Sequence, residues 1–312
     1  MRILITGASG LLGLNLALEA SGARYHGQHT VYGVVNSHAI QTQAFTVISC
    51  NLLAPGAVER LLDQTKPDWV IHCAALANLD ACEADPELAS ELNTELPRTL
   101  ASYVSKGGAR LVHISTDSVF DGARGNYNEE DIPNPLGVYS RTKLAGEHAV
   151  AEADPSAIIA RVNLFGWSVT GKRSLAEFFF NNLSAGKSIN GFTDVYFCPL
   201  LANDLAHLLI DMLTQGLSGL YHVVSSEHMS KYEFGMRIAQ CFGLDTSLIK
   251  PISVHQAGLK AARSPNLILR TDKLTRDLSV PPPGIDLEIQ KFHELYEDGY
   301  ARKIKEVLWK SE

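Results

Sequence analysis

The stretch Ile3–Gly13, which reads ILITGASGLLG, decides the fold of this chain. Its apolar start is followed by glycines spaced Gly-x-x-Gly-x-x-Gly, and helical periodicity begins directly after the turn, at Leu11–Ala20. Gly7 permits a tight turn, Gly10 lets the backbone approach a pyrophosphate, and Gly13 allows the helix to pack closely on the strand. The stretch therefore predicts a strand, a turn and a helix whose N-terminus binds the pyrophosphate of a dinucleotide.

Outward from this turn, apolar strands and amphipathic helices alternate as far as about residue 165. Strands that are continuously apolar imply a parallel sheet covered by helices on both faces. The repeated strand–helix order therefore predicts a doubly wound α/β fold of the Rossmann type. The other expected strands are Val31–Val35, Phe45–Ser49, Trp69–Cys73, Arg110–Ser115 and Ala157–Val162, and the other expected helices are Ala57–Gln64, about Pro86–Lys106 and Val138–Glu152.

The pattern changes after about residue 165, where the regular alternation stops. A helix at Leu201–Leu213 and a strand at Leu220–Val224 fit the first sheet, whereas a helix at about Asp286–Tyr300 follows a run of three prolines. We therefore expect two units, the second of them discontinuous. The expected NAD(P)-binding domain comprises residues 1–165 and about 200–225, and the expected smaller substrate lobe comprises about 166–199 and 226–312.

The composition is that of an ordinary globular protein, with 46% apolar and 20% charged residues, which excludes a disordered chain. A net charge of −7 with scattered basic residues argues against a nucleic-acid partner. Because the sequence has neither an apolar run of membrane-spanning length nor a signal-like N-terminus, we expect no membrane association. Five cysteines without a Cys-x-x-Cys pair favour buried thiols in the reducing cytoplasm. The spacing of histidines and acidic residues predicts no metal site, and a homodimer is the default expectation.

Tyr139 and Lys143 are the first candidates for chemistry, since their i, i+4 spacing places them on one helical face. A free phenol has a pKa of about 10, and a neighbouring ammonium lowers that pKa. We therefore expect Tyr139 to donate a proton to a ketone oxygen as hydride arrives from a nicotinamide. The preceding strand ends at Ser115-Thr116-Asp117, on the sheet edge where ligands bind. Thr116 is expected to orient the substrate carbonyl, and Asp117 to assist proton transfer or bind a sugar hydroxyl.

The end of the second strand, Asn36-Ser37-His38, is expected to contact the adenosine ribose of the cofactor. NAD enzymes usually place a carboxylate there, which binds the free 2′-hydroxyl and would repel a 2′-phosphate. Because this chain has none, we expect NADP(H) to be favoured over NAD(H). Asn51 and Leu52, after the third strand, are expected to meet the adenine.

Four motifs occur together in this chain. They are Thr6-Gly7-x-x-Gly10-x-x-Gly13, Ser115-Thr116-Asp117-x-Val119-Phe120-Asp121-Gly122, Pro135-Leu136-Gly137-x-Tyr139-x-x-x-Lys143-Leu144-Ala145-Gly146-Glu147, and Arg161-Val162-Asn163-Leu164-Phe165-Gly166. With them the chain resembles the extended short-chain dehydrogenase/reductases, and in particular the dTDP-4-dehydrorhamnose reductase group. The resemblance covers most of the chain and is strongest up to about residue 166. The departures are Asn51 where the group carries Asp, Leu200 where it often carries Thr, and Ser264 where Arg is expected.

The resemblance implies that Thr116, Tyr139 and Lys143 form a catalytic triad and that Asn93 braces the active site. The full set of expected cofactor contacts is Gly7, Ser9, Gly10, Leu11, Leu12, Gly13, Asn36, Asn51, Leu52, Ala74, Ala75, Tyr139 and Lys143. The expected substrate contacts are Asp117, Asn163, Trp167 and Arg263. Candidates for binding the phosphates of a sugar nucleotide are Lys172, Arg173, Lys260 and Arg263.

Three functions stay open at this point. The first is an NAD(P)H-dependent reductase of a 4-keto sugar nucleotide. The second is a nucleotide-sugar epimerase or a 4,6-dehydratase on the same scaffold, although related dehydratases carry Glu where this chain has Ser118. The third is a non-catalytic NADP-binding regulatory subunit, which is expected to lose members of the triad, whereas this chain retains Thr116, Tyr139 and Lys143. The sequence therefore favours the reductase, with a sugar nucleotide as its small-molecule partner.

Overall fold

The computed structural model of the protein describes residues 1–25, 27–256 and 264–307. Its strands are β1 (Arg2–Thr6), β2 (Thr30–Val35), β3 (Thr46–Ser49), β4 (Trp69–His72), β5 (Arg110–Thr116), β6 (Ile158–Val162), β7 (Leu164–Phe165), β8 (Ile189–Phe192), β9 (Tyr196–Phe197), β10 (Leu200–Leu201), β11 (Gly219–Val223), β12 (Met229–Ser230) and β13 (Ile249–Ile252). Seven of these strands form one parallel sheet in the order β11-β6-β5-β4-β1-β2-β3. The strand order reverses direction at β1, as in a doubly wound Rossmann fold, so the predicted fold class is confirmed.

Helices cover both faces of this sheet. They are α1 (Leu11–Ser21), α2 (Ala57–Thr65), α3 (Leu79–Ala84), α4 (Pro86–Ser90), α5 (Leu96–Gly107), α6 (Val138–Ala153), α7 (Leu175–Ser184), α8 (Ala202–Thr214), α9 (Lys231–Cys241), α10 (Asp272–Leu278), α11 (Ile285–Glu297) and α12 (Tyr300–Glu306). One apolar core includes α2, α5 and α6, and a second includes α1 and α8. Strands β4 and β6 are consequently buried along their whole length. None of the helices within the described ranges is long and apolar enough to cross a membrane.

The six strands outside the central sheet form three short pairs. β7 pairs with β10 and β8 with β13 in parallel, whereas β9 and β12 are antiparallel. An aromatic cluster lies beside them, in which Trp167 stacks on Phe292 with ring centroids 4.0 Å apart. Phe180, Phe242 and Tyr296 pack around the same tryptophan ring. These pairs and this cluster give the C-terminal part of the chain an apolar core that adjoins the sheet.

The long helix expected at about Pro86–Lys106 is interrupted in the structure. A π-helical turn at Glu91–Glu95 separates α4 from α5, and the Leu96 N–H reaches back five residues to the Glu91 carbonyl. Pro97 gives the physical reason, because proline has no N–H for the carbonyl four residues earlier, that of Asn93, and its ring crowds that carbonyl. π-Helical turns are frequent at functional sites, and this one carries Asn93.

Candidate functional site

The glycine turn between β1 and α1 has no room for side chains at two of its glycines. Gly7 has a φ of +68°, and a Cβ there would lie 2.8 Å from the backbone nitrogen of Ala74. A Cβ on Gly13 would lie 2.3 Å from the Gly7 carbonyl oxygen. The turn is closed by a hydrogen bond of 2.8 Å from the Gly10 N–H to that same oxygen. Backbone therefore lines the start of α1, and this cradle fits a pyrophosphate.

Gly13→Ala should disrupt this turn, because its new methyl group meets backbone that cannot move aside. We expect the free energy of unfolding to fall by about 1–3 kcal/mol, as in other overpacked sites, and dinucleotide binding to weaken. Gly107→Ala is the matched control, since a Cβ on that helical glycine meets nothing within 4 Å. Urea unfolding of both variants is the measurement. Equal stability and equal cofactor affinity of the two variants would contradict the account of the turn.

A cleft of about 980 Å³ opens at the carboxyl ends of the central strands, and we call it the cofactor cleft. All the residues expected to contact the cofactor line it: Gly7, Ser9, Gly10, Leu11, Leu12, Gly13, Asn36, Asn51, Leu52, Ala74, Ala75, Tyr139 and Lys143. Thr116 lines the cleft as well. The structure thus brings the glycine turn, the end of β2 and the start of α6 to one cavity, which suits an extended dinucleotide.

Among the described residues, no carboxylate lines the β2 end of the cofactor cleft. Asn36, Ser37 and His38 line it, and the Ser37 hydroxyl lies 3.1 Å from His38 Nδ1. Asp117, at the end of β5, is the one carboxylate that lines the cleft within the described part of the chain. A 2′-phosphate on the adenosine ribose therefore meets no carboxylate at the end of β2.

Tyr139 lies in the first turn of α6 beside Thr116, the last residue of β5. Burial raises the pKa of Tyr139 to about 12, and a hydrogen bond with Thr116 opposes that rise. The sequence predicted that the Lys143 ammonium would lower the pKa of this phenol. In the structure burial has the largest effect on this pKa and the net shift is upward, so that expectation is wrong. The phenol is protonated at neutral pH, as a proton donor must be.

Lys143 points toward β5 from the next turn of α6. Its Nζ donates to the Ile114 carbonyl oxygen at 2.7 Å and lies 3.4 Å from Nε2 of His113. Burial lowers the pKa of Lys143 to about 8 and holds the pKa of His113 well below its ordinary value. The His113 ring stacks on that of His72, whose pKa burial lowers to about 3. Two neutral imidazoles therefore lie beneath the lysine, a feature that no sequence motif indicated.

A buried ion pair fixes α6 against the sheet under these residues. Arg161 on β6 donates two N–H groups to the Glu147 carboxylate on α6, with Nη2 at 2.7 Å from Oε2 and Nε at 3.0 Å from Oε1. The Ser115 hydroxyl on β5 donates to the same carboxylate. The Arg161 guanidinium also lies over the Phe120 ring, 5.0 Å from its centroid. These contacts set the position of α6, and with it Tyr139, relative to the end of β5.

Asn93, in the π-helical turn, joins three segments of the site. Its Oδ1 accepts from the Leu76 N–H at 2.9 Å, and its Nδ2 donates to the Leu76 carbonyl at 3.1 Å and to the Thr142 hydroxyl at 3.1 Å. A Cβ on Gly146 would lie 2.1 Å from the Asn93 carbonyl oxygen, so α6 approaches this turn closely. Asn93 therefore ties the loop after β4 to α6 directly beside Lys143.

A second cleft of about 520 Å³ lies between this site and the C-terminal part of the chain, and we call it the substrate cleft. It shares Asp117, Ser118, Tyr139 and Asn163 with the cofactor cleft. Asn163 Nδ2 donates to the Asp117 carboxylate at 2.6 Å. This hydrogen bond lowers the pKa of Asp117, but burial raises it by more, so the net shift of the pKa is upward. This cleft is also lined by Glu83, Tyr196 and Lys231, which no sequence motif indicated.

Glu83 contacts the start of α6. Its carboxylate accepts from the Val138 N–H at 2.8 Å, so α3 satisfies an end group of α6. Tyr196 and Lys231 come from the short β9 strand and from the first turn of α9. These two residues reach the cleft only because segments that are distant in the sequence pair with one another. No local motif marks them.

Five expected substrate or phosphate contacts lie elsewhere or outside the described residues, among them Lys172, which lines neither cleft. Trp167 is 2% exposed, its ring lies in the aromatic cluster, and its indole N–H donates to the Phe292 carbonyl at 3.0 Å. The expected contact of Trp167 with a substrate is therefore contradicted by its position in the core. Arg173 lines the cofactor cleft and not the substrate cleft. Lys260 and Arg263 lie outside the described residues.

Comparison with known proteins gives consistent matches over nearly the whole chain. The family model of the RmlD substrate binding domain matches residues 1–297. The probable low-salt glycan biosynthesis reductase Agl14 of Haloferax volcanii is 31% identical over 303 residues, covering 96% of this chain and 99% of that protein. Methionine adenosyltransferase 2 subunit beta of Danio rerio is 33% identical over 282 residues, covering 88% of this chain and 84% of that protein. The structure of dTDP-4-dehydrorhamnose reductase from Bacillus anthracis in complex with NADP aligns with a TM-score of 0.80 at 25% identity, covering 94% of this chain and 98% of that one.

Proposed function

This chain belongs to the family of the RmlD substrate binding domain, and on that premise we propose that it is an NADP(H)-dependent reductase of the 4-keto group of a sugar nucleotide. The junction of the two clefts carries the proposal, because Tyr139 lines both of them. A proton donor at that junction can act on a carbonyl between a bound dinucleotide and a bound sugar. A similar reductase that acts on dTDP-4-dehydrorhamnose and a probable glycan biosynthesis reductase support this class of substrate.

The residues at the junction have distinct roles in this proposal. A nicotinamide cofactor, when bound, supplies the hydride that reduces the ketone. Tyr139 donates the proton to the ketone oxygen, and Thr116 orients that oxygen by a hydrogen bond. Lys143 holds the nicotinamide ribose from the neighbouring turn of α6. Asp117, which lines both clefts, binds a hydroxyl group of the sugar.

The preference for NADP(H) rests on the lack of a carboxylate among the described residues that line the cofactor cleft at the end of β2. We expect Asn36→Asp to weaken NADPH binding relative to NADH binding by about tenfold or more, because a carboxylate repels the 2′-phosphate and binds the free 2′-hydroxyl. The measurement is the ratio of the two dissociation constants from fluorescence titrations. Asn36→Ala is the control, since it removes the amide without adding charge and should leave that ratio near the wild-type value. An unchanged ratio in Asn36→Asp would contradict the placement of the adenosine ribose at this strand end.

A non-catalytic regulatory subunit is the second candidate function, favoured by the match to methionine adenosyltransferase 2 subunit beta. The placement of Thr116, Tyr139 and Lys143 around one cleft speaks for catalysis. The two functions differ in one result. A regulatory subunit binds NADPH without oxidising it in the presence of any 4-keto sugar nucleotide, whereas a reductase oxidises it with at least one of them.

An epimerase on this scaffold is distinguished by the fate of its cofactor. An epimerase regenerates its nicotinamide within each turnover and retains it, whereas a reductase exchanges it. The protein is purified without added cofactor, and the released nucleotide is measured after denaturation. A reductase is expected to carry little nucleotide and to bind added NADPH reversibly, and stoichiometric retained cofactor would support the epimerase instead.

We further propose the setting in which this reductase works. Residues 1–165 and about 200–225 form its cofactor-binding domain, and about 166–199 and 226–312 form the substrate lobe, which contributes Val195, Tyr196 and Lys231 to the lining of the substrate cleft. The cysteines within the described residues are free, three of them partly exposed, which fits the reducing cytoplasm. A homodimer is the proposed assembly on general grounds of symmetry.

A further inference from the structure

The loop at residues 168–174 is organised around one buried carboxylate, that of Glu177 in the first turn of α7. Glu177 is fully buried. Its Oε1 accepts from the Ser168 N–H at 2.7 Å, and its Oε2 accepts from the Arg173 N–H at 2.9 Å. The Ser174 hydroxyl in turn accepts from the Glu177 N–H and completes a capping box. Hydrogen bonds to an ionised group are among the stronger ones in proteins, so this loop has a fixed shape.

The side chain of Arg173 leaves this fixed loop and reaches the glycine turn. Its Nη1 donates to the Ser9 carbonyl oxygen at 2.8 Å. Ser9 lies between Gly7 and Gly10, and Arg173 lines the cofactor cleft together with them. The neighbouring Lys172 is also exposed but lines neither described cleft. The loop thus brings a single cation from the C-terminal part of the chain to the start of α1.

The chemistry of this position is that of an anion site. The backbone cradle and the N-terminus of α1 favour a pyrophosphate directly beside Ser9. A guanidinium has five N–H donors, and one of those of Arg173 is used on the Ser9 carbonyl. The Ser9 bond holds the group in place while other donors remain for phosphate oxygens, which arginine binds in a bidentate manner.

We propose that Arg173 is a clamp for the pyrophosphate of the dinucleotide, supplied across the cofactor cleft by the loop that Glu177 holds. This inference rests on the proposed function, because it requires that the cleft bind a nicotinamide dinucleotide. It reassigns Arg173 from the phosphates of the sugar nucleotide to those of the cofactor. Glu177 is a positioning residue in this arrangement, since it contacts the loop backbone and not the ligand.

The test is equilibrium binding of ligands that differ in their phosphates. NADPH and ADP-ribose contain the pyrophosphate, whereas adenosine 2′-monophosphate lacks it. We expect Arg173→Gln to raise the dissociation constants of NADPH and ADP-ribose by about 10- to 100-fold, the usual effect of losing charged hydrogen bonds. The dissociation constant of adenosine 2′-monophosphate should change by less than about twofold, and Lys172→Gln should change none of the three. Arg173→Lys should fall between Arg173→Gln and wild type, because it keeps the charge but loses the bidentate geometry.

Several outcomes would overturn the clamp. Wild-type-like affinity of Arg173→Gln for NADPH and ADP-ribose would do so, with the proposed function left standing. Equal weakening of adenosine 2′-monophosphate would overturn it as well, since it would place Arg173 at the 2′-phosphate. If Arg173→Gln does not fold, the same comparison of the three ligands is made with Arg173→Lys. Failure of the wild-type protein to bind any dinucleotide would instead refute the proposed function itself.

Discussion

Tyr139→Phe is expected to lower kcat by about 100-fold or more, the usual contribution of a positioned general acid. The substitution removes only the O–H group, so the packing of the ring on α3 and β5 is retained. Burial raises the pKa of Tyr139 to about 12, so the wild-type phenol is protonated at the pH of the assay. The dissociation constant of NADPH is expected to stay within about twofold of wild type, because the proton donor acts on the substrate oxygen. Initial rates and a fluorescence titration give the two quantities.

Tyr196→Phe is the matched control for this experiment. Tyr196 lines the substrate cleft but not the cofactor cleft, so loss of its hydroxyl can change KM without removing the proton donor. We expect kcat of Tyr196→Phe to stay within about tenfold of wild type. A Tyr139→Phe enzyme that retains more than about a tenth of the wild-type kcat would exclude Tyr139 as the general acid.

Glu147→Leu is expected to lower the free energy of unfolding by about 3–5 kcal/mol, because it leaves the Arg161 guanidinium buried without its carboxylate. The side chains of Arg161 and Glu147 are 3% and 4% exposed, so water cannot replace the lost partner. Urea unfolding followed by circular dichroism measures the change. Since Glu147 joins α6 to β6 through Arg161 and to β5 through Ser115, the same variant should also lose activity.

Two further variants separate the effect of a buried unpaired charge from the loss of an ion pair in general. Glu147→Leu combined with Arg161→Met removes both charges and should regain much of the lost stability. Arg98→Ala breaks an ion pair with Glu95 whose side chains are 49% and 54% exposed, and it should cost no more than about 1 kcal/mol. A loss from Glu147→Leu as small as that from Arg98→Ala would show that the buried pair does not hold α6 in place.

The fold could be predicted from the sequence because its signals are local. The seven strands of the central sheet are apolar runs, and the structure places all of them in one parallel sheet. The cofactor cleft was predictable for the same reason, since its lining residues follow directly after strands or open helices. The apolar periodicity predicts one continuous helix at about Pro86–Lys106, whereas Pro97 interrupts it because proline lacks the N–H that the Asn93 carbonyl would accept.

The substrate side of the site could not be predicted in the same way. Tyr196 reaches the cleft through a two-residue strand that pairs with β12, and it also bridges to Asn266. Pairing over such sequence distances depends on tertiary packing that short patterns do not encode. Trp167 is the reverse case. It directly follows a motif and was expected to contact the substrate, but its side chain is buried in the hydrophobic core. The pKa of Tyr139 was predicted in the wrong direction because burial, which raises it, is not visible in a motif.

The central claim is that this protein transfers a hydride to the carbonyl of a 4-keto sugar nucleotide. The most direct measurement uses NADPH deuterated at its transferable position, with a panel of dTDP- and UDP-linked 4-keto sugars, and analyses the products by mass spectrometry and NMR. We expect one deuterium at C4 of at least one sugar product, with an equal amount of NADP⁺ formed, and an initial rate of deuterium incorporation lower by about 100-fold or more with Tyr139→Phe. NADPH that binds but leaves no deuterium in any member of the panel would contradict the reductase and favour a regulatory subunit.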